Sequence, residues 1–173
     1  VKNVPDAYEV YNEPSTVEMF AKLGVLAPNE VKARFEILNE TYVKKLQIEA
    51  RIIGDICLSH VIPAAVRYQN ILIENVKGIK EIFADDYVRY CSSELETLKK
   101  ISQFINDISA DVELLVEARK KANRIEDIAE RAKVYSHSVK DMMDKVRESA
   151  DNLEMLIDNE MWPLPKYREL LFF

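Results

Sequence analysis

Residues 91–115, CSSELETLKKISQFINDISADVELL, decide the fold that the sequence predicts. Apolar side chains recur in this stretch every seven residues, in two interleaved rows. A sustained seven-residue repeat is typical of long helices that pack side by side, so we expect one helix over the whole stretch. The first row comprises Cys91, Leu98, Ile105 and Val112, and the second comprises Ile101, Ile108 and Leu115.

A second heptad pattern follows further along the chain. Between the two patterns the phase slips by one residue, and Asn123 with Glu126 forms a capping-box pattern. We therefore predict a tight turn at Ala122–Arg124 between two antiparallel helices of about 35 residues each, in preference to one continuous helix. The rows of the second helix are Ile125, Ala132, Val139, Val146 and Leu153, and Ile128, Tyr135, Met142 and Leu156.

The first half of the chain predicts a third long helix that begins near Pro28. We expect a kink near Pro63, because proline removes one backbone hydrogen bond and crowds the carbonyl of Ser59. This helix is apolar on two sides, which favours contact with more than one neighbour. The main stripe comprises Val31, Phe35, Leu38, Tyr42, Leu46, Ile53 and Ile56, and the second comprises Ile37, Ile48 and Ile52.

Glycine is scarce, with three in 173 residues, whereas folded proteins average about 7%. We expect Gly24 to end a short helix that begins with a capping box at Ser15 and Glu18. We expect Gly78 to end the Pro28 helix, and Gly54, inside that helix, to admit a close neighbour. So few glycines also leave little material for loops that bind phosphate.

The two chain ends differ from the helices in amino-acid composition and lack their apolar periodicity. Residues 1–14 predict an extended linker, which we expect to lead from an absent upstream catalytic domain, and residues 15–173 predict a helical domain. The apolar tail predicts docking on this bundle or on another surface. The fold class is therefore all-α: an elongated bundle of long antiparallel helices with a short N-terminal helix and a docked tail. Candidate docking or interface residues are Trp162, Leu164, Tyr167 and Arg168.

Composition narrows the classes of function. The net charge of −6 argues against a nucleic-acid partner. No apolar run is expected to approach the length of a membrane span, so we expect no membrane partner. The two cysteines, Cys57 and Cys91, predict reduced core thiols in a cytoplasmic protein. The start of the chain, which lacks a methionine, predicts a fragment of something longer.

A search for catalytic, cofactor-binding and metal-binding residues finds none that the sequence supports. The Glu-x-x-His motif of di-iron bundles is absent before both His60 and His137. We expect His60 to be a hydrogen-bonded core residue and His137 to be solvated. Glu49 falls on the core side of its helix and so predicts a basic partner. The acidic residues Glu148, Asp151, Glu154 and Asp158 predict a solvated face.

Two regions resemble the C-terminal domain of type III glutamine synthetases. The first contains Gly24-Val25, the run RFEIL at 34–38, IEA at 48–50 and VIPA at 61–64. The second is the tail WPLPKYRE at 162–169, which resembles the most specific signature of that family. The likeness covers nearly the whole chain, although the middle helices share the general helical pattern of the family more than its specific motifs.

The resemblance implies an ATP-dependent ligase that joins ammonia to glutamate, with Mg or Mn ions, as a cytoplasmic homo-dodecamer. The family's nucleotide, metal and glutamate residues lie upstream, so no cofactor is expected in this chain, and its partners would be the catalytic domain and other subunits. The role implied is a non-catalytic domain for assembly or regulation. Two alternatives stay open: a free-standing helical protein–protein interaction module, and a helical metal or cofactor bundle.

Overall fold

The computed structural model describes residues 3–171, and every regular element in that range is helical, which confirms the all-α class. Short 3₁₀ turns at Glu9–Asn12 and Ala84–Asp86, and π-helical segments at Cys57–Val61 and Tyr135–Val139, connect some of the α-helices. The α-helices of this range are α1 (Val4–Tyr8), α2 (Pro14–Lys22), α3 (Pro28–Ile56), α4 (Ile62–Phe83), α5 (Tyr87–Tyr90), α6 (Ser92–Ala122), α7 (Ile128–Val134), α8 (Lys140–Leu156) and α9 (Tyr167–Leu170).

The chain divides into two compact units. The first unit contains the residues up to Ile52 together with Leu114–Asp144. Its core includes the fully buried Tyr135, whose hydroxyl donates a hydrogen bond to Asn123 Oδ1 (2.7 Å). Asn39 is also buried, and its amide donates to the carbonyl of Phe35 (3.0 Å). The apolar core residues of this unit include Val31, Phe35, Val43, Leu46, Leu115, Ala132 and Val139.

The second unit contains Ile53–Glu113 and the residues from Lys145 onwards. Within it, α4 and α6 are joined by a hydrogen bond from Gln69 Nε2 to Ser102 Oγ (2.8 Å). At the α4–α5 corner, Phe83 and Tyr90 stack with ring centroids 4.1 Å apart. The core residues of this unit include Cys57, Val61, Ala64, Ala65, Cys91, Ile101, Ile108, Val112, Val146 and Leu153.

Burial follows the predicted heptad rows. Ile101, Ile108 and Leu115 are buried, as are Cys91 and Val112 at the ends of the other row, whereas Leu98 and Ile105 are half-buried. In the second helical stretch the row Ala132, Val139, Val146 and Leu153 is fully buried. The heptad prediction is therefore confirmed for the residues that form the core.

The predicted break between the two heptad stretches is confirmed, but its cap differs from the prediction. α6 ends at Ala122, and α7 begins at Ile128 with Asp127 as its N-cap. Asp127 Oδ1 accepts a hydrogen bond from the backbone N–H of Glu130 (2.8 Å). The capping box predicted at Asn123 and Glu126 is therefore wrong, since the helix begins later. One continuous helix across this region is excluded.

The distortion predicted at Pro63 takes the form of a π-helical segment. Pro63 lies in the first turn of α4, directly after the π-helical Cys57–Val61. A π turn widens the backbone, so it relieves the clash between the proline ring and the preceding carbonyls. A second π-helical segment, Tyr135–Val139, has no proline in it and was not predicted.

The N-terminal segment is not extended, contrary to the prediction for residues 1–14. Residues 4–12 form α1 and a 3₁₀ turn, because Pro5 and Pro14 occupy the first turns of helices, where proline is favoured. Pro5 is buried, and Tyr8 packs edge-to-face on Tyr42 of α3. The N-cap of α2 is Glu13, without a side-chain cap bond, so the capping box predicted at Ser15 and Glu18 is also wrong.

The three glycines have different roles from those predicted, except for Gly24. Gly24 has a φ of +64° and follows α2, as a helix-ending glycine should. Gly78 lies inside α4, which continues to Phe83, and Ala84 carries the positive φ of 48° instead. A Cβ at Gly54 would lie 3.5 Å from Val112 Cγ1, which is ordinary van der Waals contact. No unusually close approach therefore requires Gly54.

One helical stretch, Pro28–Tyr90, is long and apolar enough to cross a membrane by length and composition. Its most apolar window of 18 residues has a mean hydropathy of 1.2, and 22% of that window is buried. The expectation that no stretch would approach a span is therefore wrong by this measure. A single helix of this kind is weak support for a membrane location, since core helices of soluble proteins meet the same criteria.

Candidate docking site

The C-terminal tail turns sharply after α8 and is positioned by Asp158. The backbone N–H groups of Met161 and Trp162 donate to the carbonyl of Asp158 (3.1 and 3.0 Å). The carboxylate of Asp158 also accepts from the N–H of Glu160 (2.8 Å). Asp and Asn are favoured in such turns because their side chains bond the backbone two residues on. The turn thereby carries Trp162 to a defined position in the second unit.

Trp162 is the buried apolar residue of this tail, with 8% of its surface exposed. It lines a pocket together with Ile56 and Cys57, which belong to the helices of the same unit. Its indole Nε1 is buried and has no hydrogen-bond partner among the described side chains and backbone groups. A buried N–H without a partner costs about 1–3 kcal/mol, so the packing of this ring is favourable enough to offset that cost.

Lys166 holds the tail by a polar contact that the sequence did not reveal. It is buried, with 8% of its surface exposed. Its ammonium group donates to the carbonyl of Glu154 (2.7 Å) and to that of Ile157 (2.9 Å). The last carbonyls of a helix lack partners within the helix and attract positive charge. Lys166 therefore caps the C-terminal end of α8 from a position ten residues beyond it.

The other predicted docking residues are described less completely. Leu164 lines the same pocket as Trp162 and is 37% exposed. Tyr167 begins α9, but the side chains of Tyr167 and Arg168 lie outside the described part of the structure. The docking role of all four residues stays a proposal.

The tail and the helices of the second unit line an open pocket of about 440 Å³. Apolar side chains form most of its wall, and three charged side chains of α8 complete it. The lining residues are Ile53, Ile56, Cys57, Val61, Arg147, Ala150, Asp151, Glu154, Trp162, Leu164, Pro165 and Leu170. The carboxylates Asp151 and Glu154, predicted to lie on a solvated face, are half-buried here.

The buried Cys57 thiol in this wall is held in its neutral form. Burial, assisted by the negative charge of Asp151, raises the pKa of Cys57 to about 11. Asp151 itself faces Arg147, with 3.5 Å between its Oδ2 and the Nε of the guanidinium. The thiol is consequently a poor nucleophile and a poor metal ligand near neutral pH, since both roles require the thiolate.

The remaining candidate residues, Glu49, His60 and His137, are exposed in the described part of the chain. Glu49 and His60 are exposed, so the prediction that both lie on the core side is wrong. His137 is exposed, as predicted, and its Nε2 lies 3.0 Å from Asn3 Nδ2. In the described range no group of three or more His, Cys, Asp or Glu side chains could hold a metal ion.

The first unit presents an exposed apolar row on α3. Ile37, Ile48 and Ile52 are 59%, 58% and 51% exposed. The spacings of 11 and four residues place them on one side of the helix, opposite the buried Val43 and Leu46. The two-sided helix that the sequence predicted therefore buries only one of its apolar sides within the described residues.

Comparison with known proteins gives one family. Residues 1–80 match the model of the glutamine synthetase C-terminal domain. The chain is 39% identical over 171 residues to a glutamine synthetase of Bacteroides fragilis (strain YCH46), covering 98% of the chain and 24% of that relative. It is 28% identical over 183 residues to the type-3 glutamine synthetase of Dictyostelium discoideum, covering 98% of the chain and 23% of that relative.

A third relative, a glutamine synthetase of Butyrivibrio fibrisolvens, is 27% identical over 172 residues, covering 99% of the chain and 24% of that relative. The chain thus spans about a quarter of the length of the relatives that it matches. The similarity also extends past residue 80, through the middle helices to the tail. These matches show that the chain is similar to the C-terminal domain of glutamine synthetases, with a type-3 enzyme among the relatives that it matches.

Proposed function

We propose that this chain is a non-catalytic helical domain that serves the assembly or regulation of a longer enzyme resembling type III glutamine synthetase. The proposal is supported by the matches, which cover nearly the whole chain but only about a quarter of each relative. The longer enzyme would ligate ammonia to glutamate with ATP and Mg or Mn ions. It would act in the cytoplasm as a homo-dodecamer.

The catalytic chemistry is assigned to the rest of that enzyme because the residues here do not fit its ligands. A divalent metal ion needs several converging oxygen or nitrogen ligands, and the described residues contain no such group. Nucleotide phosphates are commonly bound by glycine-rich loops at helix N-termini. The glycines of this chain are isolated, and Gly54 and Gly78 lie inside helices.

The observation that carries the assembly role is the exposed row of Ile37, Ile48 and Ile52. Fully burying an isoleucine side chain is worth about 1.5–3 kcal/mol. A partner that covers these three side chains would therefore gain several such contributions. We infer that the upstream catalytic domain or a neighbouring subunit covers the row. Residues 1–14 would link the two domains, and Trp162, Leu164, Tyr167 and Arg168 would position the tail.

The test is to place a charge on this row in the longer protein. Ile48→Glu should reduce the fraction of assembled enzyme, measured by light scattering after gel filtration. The matched control is Asn106→Glu, which adds the same charge at an exposed position of α6 outside the row. Both variants should keep the thermal stability of the 173-residue chain, because neither position is in the core.

Two results would contradict the proposal. One is an assembly state that Ile48→Glu and Asn106→Glu leave equally unchanged, which would remove the assembly role. The other is glutamine formation by the purified 173-residue chain, which would make the domain catalytic. A reading frame that encodes only these residues would favour the free-standing interaction module instead.

A further inference from the structure

A hydrogen bond joins the start of the N-terminal segment to His137 within the first unit. The side-chain Nδ2 of Asn3 lies 3.0 Å from Nε2 of His137. His137 is exposed and belongs to the π-helical segment Tyr135–Val139. The NH2 group of an asparagine can only donate, so the ring nitrogen that faces it must accept. This contact therefore requires a neutral His137 whose proton is on Nδ1.

A second contact fixes the orientation of the Asn3 side chain. Its Oδ1 accepts a hydrogen bond from the backbone N–H of Asp6 (2.8 Å), which makes Asn3 the N-cap of α1. Turning the amide over would exchange its oxygen and its nitrogen, so the cap would be lost. Asn3 thus cannot offer its oxygen to His137 without giving up its bond to Asp6.

Protonation of His137 conflicts with this arrangement. In the imidazolium ion both ring nitrogens are donors, so an N–H at Nε2 would face the NH2 group of Asn3. Either the two side chains separate, or the amide turns over and α1 loses its N-cap. The attachment is therefore complete above the pH range in which His137 ionises and is lost as the pH falls through that range.

The charged groups on the helical side of His137 do not titrate in the same range. Glu117 and Lys121 of α6 and Asp141 of α8 line a surface groove together with His137, and Lys140 begins α8 three positions after it. Aspartate and glutamate ordinarily ionise at about pH 4 and lysine at about pH 10. Histidine ordinarily ionises between about pH 5 and pH 8. Among these groups, His137 alone is thus expected to change its charge near neutral pH.

The charged groups on the N-terminal side are Asp6, Glu9 and Lys133. Glu9 and Lys133 form an ion pair (2.7 Å), and the hydrogen bond and the charge of Glu9 raise the pKa of Lys133. This pair keeps both charges while a histidine ionises, and the packing of Tyr8 on Tyr42 involves no charge. The later part of the segment therefore stays attached when its first turn is released.

We propose that Asn3 and His137 form a pH-sensitive tether, which holds the first turn of α1 while His137 is neutral and releases it when His137 is protonated. In a longer enzyme, the tether would make the attachment of the linker depend on pH. That consequence rests on the proposed linker role of residues 1–14, whereas the tether itself is a property of the 173-residue chain and is tested there.

Hydrogen exchange measured by NMR across the range of histidine ionisation tests the tether. The signal of the Asp6 backbone N–H reports the capped first turn, and the ring signals of His137 report its protonation. The protection of the Asp6 N–H, relative to an unstructured amide at the same pH, should fall by about twofold to tenfold on protonation, as expected for the loss of one hydrogen bond. The fall should have the same midpoint as the ring signals.

Three variants assign the effect to this pair of side chains. Asn3→Asp keeps the cap but replaces the donor by a carboxylate that attracts the imidazolium ion, so protection should rise as the pH falls. His137→Gln offers an acceptor oxygen that does not ionise, and should abolish the pH dependence. His60→Gln is the matched control, because His60 is the other histidine of the chain and is exposed in the second unit. It should behave like the unmodified chain.

Constant protection of Asp6 while His137 is protonated would overturn the proposal. A pH dependence that persists in His137→Gln would do the same, because it would assign the effect to another group, such as the terminal amine of the purified chain. An Asn3→Asp variant with the same sign of pH dependence as the unmodified chain would also contradict it. Circular dichroism checks that each variant is folded. The assembly test with Ile48→Glu does not depend on any of these results.

Discussion

The two ends of the chain are held by different kinds of contact. In the N-terminal segment, Pro5 is buried and Tyr8 packs on Tyr42, but the polar contacts lie at the surface: a cap by Asn3 and an ion pair of Glu9 with Lys133 (2.7 Å), in which both side chains are 40% or more exposed. The tail relies on Trp162 and Lys166, each of which is 8% exposed. Exposed ion pairs contribute about 0–1 kcal/mol, whereas buried aromatic rings contribute several. The tail, which buries the larger side chain, should therefore stabilise its unit more than the N-terminal segment does.

The largest expected effect is that of Trp162→Ala. Removing a buried tryptophan side chain costs about 3–5 kcal/mol, so the free energy of unfolding should fall by that amount. Urea unfolding followed by circular dichroism measures it. Trp162→Phe is the control, because it keeps an apolar ring and removes the unpaired indole N–H; it should lose much less. An unchanged urea midpoint for Trp162→Ala would contradict the expectation that the tail stabilises its unit more than the N-terminal segment does.

The next effect depends on pH and concerns Cys57. Its pKa is about 11 in the folded state and about 9 as a free thiol. A raised pKa means that stability is complete below pH 9 and is lost as pH rises from 9 to 11, by about 2–3 kcal/mol. Urea midpoints at pH 8 and pH 10.5 measure this loss.

Cys57→Ala is the control for this pH dependence. Burial also raises the pKa of Tyr135 in the first unit, so the variant should keep some loss at high pH. Its loss between pH 8 and pH 10.5 should nevertheless be smaller than that of the parent chain. If the variant and the unmodified chain lost the same stability between pH 8 and pH 10.5, the thiol would ionise as freely in the folded as in the unfolded state. The pocket wall beneath the tail would then be open to water.

Lys166→Met should destabilise the second unit by about 1–3 kcal/mol, because two helix-end carbonyls lose a charged donor. Methionine keeps most of the apolar stem, so the loss reports the hydrogen bonds. Lys145→Met, at an exposed position of α8, should change the free energy of unfolding by less than about 0.5 kcal/mol. If both variants behaved alike, the buried cap would have no energetic role.

At the other end, Asn3→Ala should have a smaller and local effect. The N-cap bond from the N–H of Asp6 to Asn3 Oδ1 (2.8 Å) is lost, which costs about 1 kcal/mol in typical helices. Faster hydrogen exchange at Asp6 should report the loss, with little change in the global urea midpoint. Asn3→Asp keeps the cap and should keep the slow exchange. A large shift of the global midpoint would contradict the contrast.

The last comparison takes one glycine from each unit, and the smallest effect of all is expected for Gly54. Gly54→Ala should raise the free energy of unfolding by about 0.5–1 kcal/mol, because alanine favours the helix and its Cβ has room beside Val112. Gly24→Ala should lower it by about 1–2 kcal/mol, because the φ of +64° strains any residue with a Cβ. Differential scanning calorimetry of both variants measures the signs. If Gly54→Ala were destabilising, the space beside Val112 would be too small for a Cβ, contrary to the 3.5 Å distance to Val112 Cγ1.

Sequence periodicity predicted the core because burial and repeat have the same physical cause. Ile101, Ile108 and Leu115 recur every seven residues since one side of α6 faces its neighbours. Pro63 likewise marked the distortion at Cys57–Val61, because a missing donor must be accommodated. The burial of Trp162 could be predicted because a large aromatic residue in an apolar tail needs cover, whereas its role as an anchor stays a prediction.

Other features depend on tertiary contacts that leave no local pattern. Nothing near Lys166 indicates that its ammonium group reaches Glu154, since the contact is set by the path of the tail. Gly78 remains helical because α4 continues past it, and Ala84 takes the left-handed turn. The π-helical segment at Tyr135–Val139 contains no proline from which it could have been predicted.

The cap that Lys166 places on α8 joins two events that would otherwise be separate. When the tail leaves its position, the carbonyls of Glu154 and Ile157 lose their donor at the same moment. The end of α8 and the tail therefore form one cooperative unit of local unfolding. A protease that cuts after the tail has opened would find the last turn of α8 frayed as well. Anything that binds the tail, in turn, lengthens the lifetime of that helix end.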